Sequence, residues 1–340
     1  MTRPTPAMRE AMARAEVGDD VFGEDPSVRA LEDEIAAIAG KPAALFVPSG
    51  TMGNQLAIAT QTRPGDDVIV GQWAHPVLYE GGAGAALSGV QFTPVGSGGM
   101  YTADEMQAAV HPRLYWTPRT SLVALENTHN RAGGRVWPRA QARAVAERAH
   151  ALGLATHLDG ARVWNASVAS GTPVAELCAP FDTVSVCFSK GLGAPVGSAF
   201  CATRTLVEDA RRLRKRWGGG MRQAGVIAAA ALHALAHHRV RLADDHANAR
   251  ALAEKMAGVT GVRVDPEAVE TNIVNLELDV SAETVALAAR YAGLLIHPTG
   301  PKSLRAVTHL DVSRVDVDTA AGILADAIRK EIEGRDVSRG

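Results

Sequence analysis

The sequence predicts an α/β fold: a mostly parallel sheet flanked by helices, followed by a smaller C-terminal α+β domain. Two patterns support this prediction. The first two-thirds of the chain alternates short apolar runs with helical patterns, and the runs lack polar alternation, as is typical of strands buried on both faces. After about residue 220 the pattern changes, and two long helical patterns without a strand signal precede a mixture of short strands and helices. We therefore expect a large domain at residues 1–245 and a small domain at residues 246–340.

Five apolar runs are strand candidates in the large domain. They are Ala43–Val47, Asp67–Val70, Ser121–Leu125, Leu154–Leu158 and Thr183–Cys187. Helical patterns lie between some of these runs. One, Ser27–Ala39, follows a proline and ends before Gly40, and another, Pro138–Leu152, begins with a proline and ends before Gly153. Proline in the first turn and glycine after the last are common helix boundaries, and strands separated by helices predict parallel pairing.

The rest of the chain predicts longer helices and shorter strands. Helical patterns cover Gln223–His238, Val240–Met256, Ala282–Arg290 and Ser313–Glu333. Strand candidates lie near Val262, at Ile273–Leu278, near Leu294 and near Leu304.

Composition and charge limit the classes of function. The 340 residues include 35 Lys and Arg against 37 Asp and Glu, so charge does not favour nucleic acid or an acidic membrane surface as a partner. The basic run at 211–216 ends a helical pattern, where cations suit the helix dipole, and we interpret it as a solvated helix end. No apolar run has the roughly 18–20 residues of a membrane span. Three cysteines and no secretory signal predict a soluble cytoplasmic protein with reduced thiols.

The functional signals follow the strand candidates, because ligands bind outside the carboxyl ends of the strands in an open parallel sheet. The segment PSGTMGN at 48–54 follows Ala43–Val47 and precedes a helical pattern. Unpaired N–H groups at a helix start, together with the hydroxyls of Ser49 and Thr51, can bind a phosphate. A plain turn that caps the helix is the alternative.

An acid and a lysine follow two later strand candidates. Asp159 can bond a protonated ring nitrogen, or it can cap a helix. Lys190, one of only six lysines, can be a nucleophilic amine in the crevice, or a surface residue in a glycine turn. A phosphate cradle, a ring-nitrogen acid and an aldehyde-trapping lysine, in this order, together favour pyridoxal 5′-phosphate. His75 follows another strand candidate and can stack on the cofactor ring, although a lone histidine is more often structural.

Nine stretches between residue 2 and about residue 313 resemble the low-specificity L-threonine aldolases. They are TRPTPAMREAM, VGDDVFGEDPSV, PSGTMGNQ, VGQWAHPVLYEGG, LENTHNRAGG, HLDGARVWNA, SKGLGAPVGS, GGGMRQ and LRAVTHLDVS. Members of this family are pyridoxal-phosphate enzymes of fold type I, the aspartate-aminotransferase-like fold. The resemblance implies cleavage of L-threonine, L-allo-threonine and other β-hydroxy-α-amino acids to glycine and an aldehyde. A β-eliminating amino-acid lyase or an aminotransferase on the same fold is the alternative.

The resemblance implies a cofactor role for each matching residue. Lys190 would bind the cofactor aldehyde covalently, Asp159 would bond the pyridine nitrogen, and His75 would stack on the ring. Gly50 and Thr51 would bind the phosphate.

The resemblance also implies a substrate site and a partner subunit. Arg162 and Arg305 would bind the substrate carboxylate, with Arg162 also close to the cofactor. His75 or His129 would lie near the β-hydroxyl group and take its proton. Arg222 would reach a phosphate across a subunit interface, which implies a homodimer or homotetramer. We predict no metal ligands.

The N-terminus departs from the family pattern. Family members usually carry an RSDT segment just before TRP, whose serine helps to bind the substrate carboxylate, and Met1 stands at that point here. We hypothesise that the natural product is longer. An extended chain that is no more active than this one would refute the idea.

Overall fold

A mixed sheet is the framework of the first part of the chain in the computed structural model, which describes residues 2–337. Its strands are β1 Ala43–Val47, β2 Asp67–Gly71, β3 Gln91–Val95, β4 Thr120–Glu126, β5 Ala155–Gly160, β6 Thr183–Cys187 and β7 Ser198–Ala202. Their order across the sheet is β1-β7-β6-β5-β4-β2-β3. Strand β7 runs antiparallel to both of its neighbours, and the other pairs are parallel. The predicted α/β class with a mostly parallel sheet is confirmed.

Helices surround this sheet. They are α1 Pro6–Ala13, α2 Pro26–Ala39, α3 Gly50–Gln61, α4 His75–Leu78, α5 Ala103–Ala108, α6 Arg139–Ala151, α7 Val163–Ser170, α8 Val174–Cys178, α9 Arg204–Arg216 and α10 Gly225–His237. Every residue of β2, β6 and β7 is buried, as the uniformly apolar runs predict. Leu45, Leu56, Phe200 and Val207 pack in one core cluster, and Ile58, Val68, Val70 and Leu122 pack in another.

The chain divides into two compact units. The first contains the residues up to Ala132 and Val136–Val240, and the second contains Gly133–Arg135 and the residues from Arg241 onward. The second unit is built from α11 Leu242–Ala257, β8 Val262–Arg263, β9 Ile273–Leu278, α12 Ala282–Tyr291, β10 His297–Gly300, β11 Ser303–Val307 and α13 Arg314–Val337. Its antiparallel sheet has the order β10-β11-β9-β8. Leu252, Leu276, Leu304 and Leu324 are among its core residues.

The strand predicted near Leu294 is misplaced. The Leu294 N–H donates to the Ala289 carbonyl, 2.9 Å away, and Gly293 has a φ of 90°, so this segment closes the end of α12. The strand, β10, begins three residues later, at His297. Within residues 2–337, no helix combines the length and the apolar character that crossing a membrane requires.

Candidate active site

The carboxyl ends of the parallel strands bring several predicted residues to one edge of the sheet. Asp159 is in register with Glu126 on β4 and with Ser185 on β6. The sequence predicts a strand that ends before Asp159, but β5 continues to Gly160, which pairs with Val186. Lys190 follows β6 by three residues and is half-buried. The polar residues therefore lie where an open parallel sheet binds its ligand.

Asp159 is a buried carboxylate. It is 4% exposed, and its two oxygens accept hydrogen bonds from Asn54 Nδ2 at 2.8 Å and from the Ala161 N–H at 3.1 Å. Burial raises the pKa of this carboxyl, but the positive charge of Lys190, followed by that of His75, holds the pKa below its usual value. Asp159 is therefore ionised at neutral pH, as a partner for a protonated ring nitrogen must be.

His75 begins the short helix α4 and faces two glutamates. Its backbone N–H donates to Glu126 Oε2 at 2.9 Å, and its ring Nδ1 lies 2.8 Å from Glu80 Oε1. Burial is the largest single influence on the pKa of His75, and it lowers that pKa. The hydrogen bond to Glu80 and the charges of Asp159 and Glu80 together raise that pKa above its ordinary value. The ring is therefore biased toward its charged form.

The start of helix α3 approaches the same edge. Ser49 caps the helix by accepting a hydrogen bond from the Met52 N–H at 3.1 Å, and Gly50 and Thr51 form its first turn. A Cβ atom on Gly53 would lie 2.3 Å from Ser185 Oγ, so the helix packs closely on β6. Asn54, one turn along, contacts Asp159. The Ser198 Oγ atom nearby is buried without a hydrogen-bond partner in the described chain.

His129 lies behind a glycine turn. The imidazole is fully buried, and its Nδ1 accepts a hydrogen bond from the Ala132 N–H at 3.2 Å. Its Nε2 has no hydrogen-bond partner among the described residues and lies 3.8 Å from Glu126 Oε2. A Cβ atom on Gly99 would lie 2.4 Å from the ring, and Gly99 has a φ of +83°. This position therefore requires glycine.

The three predicted arginines occupy different places. Arg162, half-buried, precedes helix α7 and follows Asp159 by three residues. Arg222 is largely exposed, and its Nη1 lies 2.5 Å from Asp19 Oδ2. Arg305 lies on β11 in the second unit, in register with Asn275 and His297.

Four polar residues that contact the predicted ones carry no prediction of their own. Asn54, Glu80, Glu126 and His157 are each less than 9% exposed, and each makes hydrogen bonds in or beside the site. Glu126 and His157 are polar residues in otherwise mostly apolar strands, Asn54 lies in the first turns of α3, and Glu80 lies in the turn after α4. These sequence signals are weak, because burial cannot be inferred from one position alone.

The donor set fits pyridoxal 5′-phosphate. The edge offers an amine, a buried ionised carboxylate, an imidazole biased toward its charged form, and a capped helix start with an unsatisfied buried hydroxyl beside it. Each matches one part of the cofactor: the aldehyde, the ring nitrogen, the ring face and the phosphate.

Comparison with known proteins decides the family. The family model described as beta-eliminating lyase matches residues 1–279. A probable low-specificity L-threonine aldolase 2 of Arabidopsis thaliana is 43% identical over 327 residues, covering 94% of this chain and 92% of the relative. The low specificity L-threonine aldolase of Escherichia coli K12 is 42% identical over 321 residues, covering 92% and 93%.

This chain belongs to the low-specificity L-threonine aldolase family. The resemblance predicted from the nine stretches is confirmed, and with it the prediction of a lyase of the aldolase type. Solved structures match the fold of this family member. The Leishmania major threonine aldolase superposes with a TM-score of 0.81 at 20% identity, covering 96% of this chain and 97% of that one. A putative L-allo-threonine aldolase from Listeria monocytogenes gives 0.80 at 22% identity, covering 95% and 92%.

Proposed function

We propose that this member of the aldolase family binds pyridoxal 5′-phosphate and cleaves L-threonine, L-allo-threonine and other β-hydroxy-α-amino acids to glycine and an aldehyde. The observation that carries the proposal is the buried, ionised Asp159 in the electrostatic field of Lys190, at the carboxyl edge of the sheet. The reaction breaks the Cα–Cβ bond of the substrate. In the cell it would break down threonine and supply glycine.

The large domain supplies the residues that hold the cofactor. When bound, pyridoxal phosphate supplies an electron-accepting ring that stabilises the charge left on Cα when the bond breaks. Asp159 keeps the proton on the ring nitrogen, because its carboxylate stays ionised. Lys190 would supply the amine that holds the cofactor aldehyde. Gly50 and Thr51 bind the phosphate at the start of α3.

Arginines and histidines act on the substrate. Arg162 and Arg305 bind its carboxylate, since the guanidinium fork suits bidentate contact. Contact with both arginines would fix the orientation of the Cα–Cβ bond in the site. The β-hydroxyl proton passes to His75 or His129, directly or through water. His75 would also lie against the face of the cofactor ring.

The functional protein is proposed to be a cytoplasmic homodimer or homotetramer with domains at residues 1–245 and 246–340. Arg222 serves a site on the neighbouring subunit, and its exposure in the single chain supports this role. No role for nucleic acid or a membrane is proposed.

A β-eliminating lyase is the second candidate, because the matching family model carries that description. Product analysis separates the two. The protein is incubated with L-threonine and L-allo-threonine, with and without added cofactor. Glycine and acetaldehyde in equal amounts support the aldolase, whereas ammonia and a keto acid support the lyase. K190A should abolish turnover, and K215A, which removes an exposed lysine, should not.

A further inference from the structure

A row of polar side chains, buried except for the half-buried Gln61, runs behind the candidate cofactor site. Gln61 Nε2 contacts Thr183 Oγ1 at 2.9 Å, and Thr183 Oγ1 lies 2.9 Å from His157 Nδ1. His157 Nε2 contacts Asn54 Oδ1 at 3.1 Å. Asn54 Nδ2 contacts Asp159 Oδ2 and Glu80 Oε1, each at 2.8 Å. The row therefore connects the interior of the sheet to two buried carboxylates.

Hydrogen-bond chemistry gives this row a single direction. Asn54 Nδ2 faces two carboxylates and must donate to both, so its Oδ1 accepts from His157 Nε2–H. Burial lowers the pKa of His157 to about 4, so the ring is neutral at neutral pH and carries one proton, which the contact with Asn54 places on Nε2. Its Nδ1 lies 2.9 Å from Thr183 Oγ1 and 3.2 Å from the Thr183 carbonyl oxygen, and as the unprotonated nitrogen it accepts from the hydroxyl. Gln61 donates to that hydroxyl in turn. The hydrogen bonds within the row are therefore all donated in the direction of the carboxylates, while Gln61 Nε2 and Thr183 Oγ1 also contact the backbone carbonyls of Ala57 and Thr156 at 2.9 Å and 3.4 Å.

Glu80 is the terminus of the row that reaches His75. It is 6% exposed, and its Oε1 faces both Asn54 Nδ2 and His75 Nδ1, while its Oε2 accepts from Gln55 Nε2 at 2.6 Å. These contacts fix the carboxylate on both oxygens. Because a carboxylate only accepts, His75 must carry its proton on Nδ1, which leaves Nε2 as the nitrogen that exchanges protons.

Four charged groups surround His75. Glu80 contacts the ring, and Glu126 accepts a hydrogen bond from the backbone N–H. The negative charge of Asp159, on β5, raises the pKa of His75, and the positive charge of Lys190, after β6, lowers that pKa. Among the acids, Glu80 alone is hydrogen-bonded to the imidazole, and Lys190 opposes it. Glu80 is therefore the residue best placed to control the ring.

We propose that Glu80 is a positioning residue that fixes the Nδ1–H tautomer of His75 and favours its protonated form. Asn54 couples Glu80 to Asp159, and His157 orients the Asn54 amide. The inference deepens the proposed function and rests on it, since His75 is proposed to act beside the cofactor. Through Glu80 and Asn54, the row connects the imidazole of His75 to the carboxylate of Asp159 in one hydrogen-bonded unit, so the charges of the two groups are coupled.

The test compares E80Q with the parent holoenzyme and with E32Q. The E80Q change keeps the side-chain shape and removes the charge. Glu32 is a suitable control, since it is a partly buried carboxylate that accepts from the Phe46 N–H and pairs with Arg211 away from the site. Histidines labelled with ¹⁵N are followed by NMR as pH changes, and the His75 signal is assigned by its loss in H75Q.

We expect the His75 titration to move to lower pH in E80Q and to stay in place in E32Q. The optimum of the pH–activity profile of E80Q should also move to lower pH, and its maximal kcat/KM should fall about tenfold, because the imidazole loses the contact that fixes its tautomer. An unmoved His75 titration in folded, cofactor-bound E80Q overturns the proposal. The parent protein alone also tests the proposal, because the ¹⁵N chemical shifts of an imidazole distinguish its two neutral tautomers. Neutral His75 protonated on Nε2, or neutral His157 protonated on Nδ1, contradicts it even if E80Q does not fold.

The NMR result does not depend on the reaction catalysed. A parent protein that shows the predicted tautomers but forms no glycine would refute the proposed function and leave the hydrogen-bonded unit standing. The opposite pattern, glycine formation with the wrong tautomers, would refute only the unit.

Discussion

Replacing His157 by glutamine is expected to remove part of the protein's sensitivity to acid. His157 is 1% exposed, and burial lowers its pKa from 6.5 to about 4 in the folded chain. In the unfolded chain the ring regains its ordinary pKa. Between these two values the unfolded state binds a proton that the folded state excludes, so stability falls as pH drops from about 6.5 to about 4.

The size of this effect follows from the two pKa values. Near pH 5 the unfolded imidazole is almost fully protonated and the folded one is mostly neutral, which costs about 2 kcal/mol of folding free energy. Near pH 7.5 the cost is close to zero. For a chain of 340 residues, typical unfolding entropies convert about 2 kcal/mol into a change in Tm of about 3 °C.

Differential scanning calorimetry of the holoenzyme at both pH values measures the effect. The fall in Tm from about pH 7.5 to about pH 5 should be about 3 °C smaller in H157Q than in the parent. H297Q, which removes an exposed histidine, should show the parental fall. Equal falls in H157Q and the parent would refute the neutral, buried His157 on which the direction of the hydrogen-bonded row depends.

Two further substitutions test separate parts of the site. D159N removes the charge that opposes loss of the ring-nitrogen proton, so steady-state kinetics should show kcat reduced by about 100-fold or more, and parental turnover would contradict the assignment. G99A places a Cβ atom 2.4 Å from the His129 ring, so kcat should fall about tenfold while cofactor titration is unchanged. G98A is its control, since Gly98 also has a positive φ but has open space around its Cβ position; equal losses in both variants would mean that backbone strain, not His129, is responsible.

Much of the framework is predictable from local sequence. Strands β1, β6 and β9 have their predicted bounds: β1 and β6 are short, mostly buried apolar runs, and β9 alternates buried apolar residues with more exposed polar ones. The proposed positions of Asp159 and Lys190 at one edge follow from the parallel order of their strands.

Two strands, β3 and β7, are not predicted, because their local sequences carry a weak strand signal. Strand β3 lies at the edge of the sheet, is only partly buried and contains Pro94, which weakens a strand signal. Strand β7, SAFCA, is short and rich in small residues. Neither run differs enough from a loop to be recognised.

The hydrogen-bonded row could not be predicted from sequence. Asn54 and His157 are 103 residues apart, and Asn54 and Asp159 are 105 apart, so only the folded sheet brings them together. In the local sequence, Asn54 is one polar residue in the glycine-rich start of α3, and His157 is one polar residue in a mostly apolar strand. The roles of these two residues depend on contacts between different helices and strands, and the local sequence pattern carries no information about such contacts.

Locating the covalent cofactor linkage tests the central claim most directly. The holoenzyme is reduced with borohydride, digested, and its peptides are mapped by mass spectrometry across all six lysines. The proposed function predicts a pyridoxyl adduct on the peptide that contains Lys190. An adduct confined to another lysine, or full activity in a protein that carries no adduct, would contradict it.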